Sequence, residues 1–116
     1  MPRRTDPELG QAAVAVWAAG EASRSQIITA VRFTAERLAA IAPGNSVEVR
    51  VPPAIAVQCV AGPRHTRGTP PNVVETDMDT WLQLATGLIS WDEALAAGDM
   101  RASGARADLR DWLPLV

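Results

Sequence analysis

Apolar residues recur along this chain with two rhythms, and the switches between them divide it into elements. Thr5-Asp6-Pro7-Glu8 reads as a helix start. Asp6 caps, Pro7 suits the first helical position, and Glu8 favours the positive end of the dipole. Leu9, Ala12, Ala13, Val16 and Trp17 then repeat at helical spacing up to Gly20. This stripe is thin and alanine-rich, which predicts a helix packed loosely on the outside or against a partner. Ser23-Arg24-Ser25-Gln26 forms a capping box for a second, longer helix. Ile27, Ile28, Val31, Ala35, Leu38, Ala39 and Ala42 give that helix a buried face, and Pro43-Gly44-Asn45 stops it.

The period then shortens to two. Val47-Glu48-Val49-Arg50-Val51 alternates strictly, as a half-buried strand with its valines inward does. Ile55 to Val60 alternates again, with Ile55, Val57 and Cys59 on one face. The two runs predict an antiparallel pair. The intervening Pro52-Pro53 is not a favoured tight turn, so the prolines are assigned to an edge or a bulge. Ala61 to Pro71, rich in proline and glycine, predicts a surface loop.

The stretch from Asn72 to Trp112 organises the rest. Asn72 to Asp77 reads as a strand. Thr76 or Asp77 caps a helix carrying Trp81, Leu82 and Leu84, which Gly87 ends. Ser90-Trp91-Asp92-Glu93 is a second capping box, and Gly98 closes that helix. Met100 to Ala102 suits a short final strand. Leu109, Trp112 and Leu113 predict a terminal amphipathic helix that Pro114 ends. Three of the four tryptophans lie here, one on each helix. Converging rings would line one apolar space.

Composition narrows the picture. The chain has 116 residues, the size of one domain, and is 47% apolar and 21% charged, as globular chains are. We divide it into residues 1–22, a tail with the alanine-rich helix, and a single domain over 23–116. A net charge of −2, without a basic stripe, argues against nucleic acid as a partner. The single cysteine, Cys59, rules out an intrachain disulfide and suits the cytoplasm. No apolar run reaches the ~18 residues of a membrane span. Met1-Pro2-Arg3-Arg4 lacks a following apolar core and reads as a short tail, not a targeting peptide.

The order of residues from Thr76 onward resembles the sterol carrier protein family, of the small lipid-binding type. The matching residues are Asp77, Trp81, Leu82, Leu84, Gly87, Leu88, Ala94, Gly98, Met100, Ser103, Gly104 and Leu109. Val47 to Pro53, with Arg64 to Asn72, looks like an actinobacterial branch of that family. The resemblance covers Pro43 to Leu113. It implies an α/β fold: a mixed, mainly antiparallel curved sheet of about five strands, helices packed on one face, and an apolar tunnel between. It implies binding of fatty acyl chains, sterols or similar lipids, and no catalysis by the module itself. The proline-rich loop Gly62 to Pro71 departs from the family's simpler sheet connection and would narrow or cover the tunnel mouth.

Candidate ligand-binding residues follow. The apolar wall would come from Phe33, Leu38, Trp81, Leu84, Leu88, Trp91, Leu109 and Trp112; packing the core is their competing role. Arg64, His65 and Arg67 would hold an anionic head group, since arginine forks match planar anions; their competing role is a solvated loop. Catalysis by His65 lacks a partner at any selecting spacing, and Cys59 reads as a small core residue. Neither a metal nor a cofactor is implied, because one histidine and scattered carboxylates show no ligand spacing. The expectation is a non-enzymatic lipid or acyl carrier. The alternative is an interaction or dimerisation module with a filled core, docking a partner or second copy through the helix from Pro7 to Ala19.

Overall fold

A computed structural model of the chain describes residues 4–62 and 72–116. Helix α1, Pro7–Ala18, starts where Asp6 accepts the Glu8 N–H at 2.8 Å and Pro7 takes the first turn. Helix α2, Arg24–Ile41, starts with the reciprocal box of Ser23 and Gln26. Its buried face carries Ala30, Val31, Thr34, Ala35 and Leu38. The contact between the helices is closer than the thin stripe predicted. Gly10 permits it: a Cβ there would lie 2.2 Å from Phe33 Cγ. The Thr5 N–H also donates to Glu36 at 2.8 Å, tying the chain before α1 to α2.

Strands β1, Val47–Val51, and β2, Ile55–Cys59, pair antiparallel with Val49 opposite Val57. Pro52, Pro53 and Ala54 form the turn between them, and the Ala54 N–H donates to Val51 O at 2.9 Å. The prolines therefore make the hairpin itself, not a bulge. Proline suits the place because its missing N–H is not needed there. Strand β3, Asn72–Thr76, runs parallel to β1, and β4, Met100–Ser103, runs antiparallel to β3. The order is β2-β1-β3-β4, a mixed sheet of four strands among the described residues. The resemblance implied about five. The alternation itself marked only these four, so the fifth had no sequence pattern behind it.

Alternation sorts the sheet faces. Val47, Val49, Val51 and Val74 are fully buried beneath the helices. Each such burial contributes roughly 1.5–3 kcal/mol. Glu48, Arg50 and Glu75 point the other way; Arg50 bonds Glu48 and sits 4.0 Å from Glu75. A buried polar clasp closes one end of the sheet. Asn72 donates to Ser46 O at 2.7 Å and accepts the Arg106 N–H at 2.9 Å.

Helix α3, Met78–Ala85, is capped by Asp77, which accepts the Thr80 N–H at 2.8 Å. Helix α4, Trp91–Ala97, starts with the Ser90–Glu93 box and ends at Gly98, whose φ of 77° is left-handed. The terminal helix expected over Asp108 to Leu113 is reduced to a 3-10 turn, Arg110–Trp112. Tertiary bonds draw this segment out of helical geometry. The N–H groups of Leu115 and Val116 both donate to Ala85 O, at 2.8 and 3.2 Å. Arg37 Nε donates to Leu115 O at 2.6 Å. Leu109 and Leu115 are buried on either side of the turn.

Candidate functional site

The residues expected to form one apolar wall are spread over four places. Leu38, Trp81, Leu84 and Leu109 are buried in the core. The Trp81 indole is satisfied there, donating to Thr34 Oγ1 at 2.8 Å. Phe33 turns toward α1, its ring against Gly10. Trp91, at the first position of α4, is 5% exposed, and Trp112 packs half-buried on the core's edge. Leu88 stands 66% exposed in the connection between α3 and α4. Arg64, His65 and Arg67 lie outside the described residues.

Local sequence opens a cleft where α3 ends, α4 begins and the C-terminal segment crosses. Gly87, at φ 79°, turns the chain out of α3. Three residues later the Ser90 box starts α4 and sets Trp91 inward. The C-terminal segment supplies the facing wall, with Pro114 beside Gly87. The resulting cleft measures about 440 Å³. Leu84, Ile89, Trp91, Leu113 and Pro114 give its apolar lining, and Asp92, Glu93 and Arg110 its charged lining. Of the expected wall, Leu84 and Trp91 meet here.

The charged rim is internally paired. Arg110 Nε lies 2.8 Å from Asp108 Oδ2, and Arg110 Nη2 lies 2.9 Å from Asp92 Oδ1. Hydrogen bonding to Asp108 and then to Asp92 raises the guanidinium above its ordinary range. The same Arg110 bond holds the Asp108 carboxyl below the usual carboxylate range. Glu93 is also lowered, because the Ser90 N–H and hydroxyl bond its carboxylate.

Sequence reasoning missed Ile89, Asp92, Glu93, Arg110, Leu113 and Pro114. One local signal was available: Ile89 directly precedes a capping box, where an apolar residue often packs back on the helix. The Asp92–Arg110 pair, 18 residues apart, left no local trace.

A second groove, about 360 Å³, runs between α1 and the α3–α4 connection and includes Trp17, Ile27, Gln83 and Leu88. Asp79 also lines it and accepts from Trp17 Nε1 at 3.1 Å and from Gln83 Nε2 at 2.6 Å. Among the described residues, no group of three or more acidic, histidine or cysteine side chains could hold a metal ion. Among them, too, no helix is long and apolar enough to cross a membrane.

Residues 23–115 match the family model described as bacterial SCP ortholog, where SCP denotes the sterol carrier protein. The chain belongs to this sterol carrier protein-like family, as its C-terminal motifs suggested. No curated protein gives a significant match.

Proposed function

We propose that the chain is a non-catalytic carrier module for a fatty acyl, sterol or similar apolar ligand. The observation that carries this reading is the cleft of about 440 Å³ with Leu84, Ile89, Trp91 and Leu113 along it, in a chain of the sterol carrier protein-like family. Its size and mixed lining suit a small-ligand site. In this reading Trp91 and Leu84 touch the ligand directly. Leu38, Trp81 and Leu109 form the packed layer behind them, while Phe33, Leu88 and Trp112 act at the margins. Arg64, His65 and Arg67 keep the proposed role of contacting the ligand's polar head. The lone, buried Cys59 suits the cytoplasm as the working compartment.

Intrinsic fluorescence tests the reading, since the chain has four tryptophans and no tyrosine. Titration with long-chain acyl and sterol ligands should give a saturable change that Trp91→Phe largely removes. A flat response across these ligand classes would remove the carrier reading.

One observation favours the alternative, an interaction module docking through α1: Leu9 is 65% exposed on that helix. Concentration-dependent mass that Leu9→Glu abolishes would support that role.

A further inference from the structure

The cleft presents hydrogen-bond acceptors at its rim while its cation is already engaged. Among the described residues, the only cation lining it is Arg110. That guanidinium is shared by two carboxylates, Nε bonding Asp108 and the terminal nitrogens Asp92. The cap N–H of Ser90 and the third N–H of α4, that of Glu93, are also used. Glu93 Oε1 takes the Ser90 N–H at 2.9 Å, and Ser90 Oγ takes the Glu93 N–H at 3.1 Å. Of this pair the carboxylate is the more exposed, Asp92 at 73% against 50% for Arg110. An ionised carboxylate accepts hydrogen bonds and donates none. Beneath this rim lie Trp91 and Leu84, which suit an alkyl or ring body.

From this geometry we infer that the cleft selects apolar ligands whose head group donates a hydrogen bond, a hydroxyl or an amine, and rejects those ending in a free carboxylate. A carboxylate head meets like charge at Asp92 and Glu93 and competes with Asp92 and Asp108 for Arg110. A hydroxyl or ammonium meets Asp92 directly. The inference rests on the carrier reading and sharpens it, because fatty alcohols, sterols and alkyl amines pass the filter and free fatty acids do not.

A head-group series on one chain tests it. Dodecanol, dodecylamine and dodecanoate are titrated below their aggregation limits against the full chain at neutral pH and low salt, reading tryptophan fluorescence. The alcohol and amine should bind about tenfold more tightly than dodecanoate. Added salt should weaken the amine more than the alcohol, which separates the two donors. Arg110→Gln should tighten dodecylamine. The double change Asp92→Asn with Asp108→Asn frees Arg110 and should admit dodecanoate. All three side chains are about half exposed or more, so the fold should tolerate these changes. Dodecanoate binding as tightly as dodecanol, or affinities unmoved by these charge changes, overturns the inference while leaving a carrier. Binding of none of the three removes the carrier reading and this inference with it.

Discussion

The Trp81 indole N–H donates to Thr34 Oγ1 at 2.8 Å, deep between α3 and α2, and neither side chain reaches solvent. The Thr34 hydroxyl in turn bonds Ala30 O and Val31 O, one turn back on its own helix. The largest ring in the core is thereby held in one orientation by a single hydroxyl. Thr34→Val keeps the shape and strands the indole N–H, at a cost of about 1–3 kcal/mol. Thr34→Ser should lose far less. Urea unfolding midpoints measure both, and a neutral Thr34→Val would show that the bond orients nothing.

Gly10 and Phe33 set how closely α1 lies on α2. A Cβ at Gly10 would meet three atoms of the Phe33 side chain between 2.2 and 2.7 Å away. Gly10→Ala should therefore destabilise by about 1–3 kcal/mol and loosen α1. Gly20, with φ +77° and nothing within 4 Å, isolates backbone strain. Gly20→Ala should cost about 1 kcal/mol without loosening α1. Thermal melts give the costs, and protease cleavage within α1 separates the two effects.

Burial pushes the Cys59 thiol up to about 11, from an ordinary 9.0. The folded chain should therefore resist alkylation at neutral pH and react only as it opens. The sign of the pH effect follows. A folded pKa above the unfolded one supports stability in full below about pH 9 and loses that support between about 9 and 11. Cys59→Ala should remove that part of the alkaline limb, as melts across this range would reveal.

Acid acts at the cleft rim. Glu93 and Asp108 are both depressed, by the Ser90 cap and by Arg110. Their stabilising bonds are complete above the unfolded carboxylate range of about 4 and fade as pH falls through the folded values. Carboxyl NMR titration should find both midpoints low. Ser90→Ala should raise Glu93 only in part, because the Ser90 N–H that bonds it most strongly remains, and Arg110→Gln should return Asp108 toward normal; an unmoved Asp108 midpoint would discard the Arg110 pairing.

The local elements were legible because their causes are local. Asp6, Ser23 and Ser90 occupy the caps their spacing indicated, and of the two candidates Thr76 and Asp77 it is Asp77 that caps α3. Alternation exposed the strands in the same way, since a pleat needs only neighbouring residues to declare its buried face. The Pro52-Pro53 hairpin was misassigned because a turn rule was applied to two residues where three make the turn. The segment from Asp108 to Leu113 has helical spacing, yet only a 3-10 turn forms. The residues just beyond it, Leu115 and Val116, are held by Arg37 and Ala85, which are remote in sequence.

By itself the sequence determined where four helices and four strands begin, which faces turn inward, and the family motifs of the C-terminal half. Caps, period and turn residues act over a few positions and leave their mark there. Only the tertiary structure decided which tryptophans sink into the core and which one borders the cleft. Folding alone joined Asp92 to Arg110 and laid the last residues across Ala85. Such contacts bring together segments distant along the chain, and their geometry depends on how every intervening element packs.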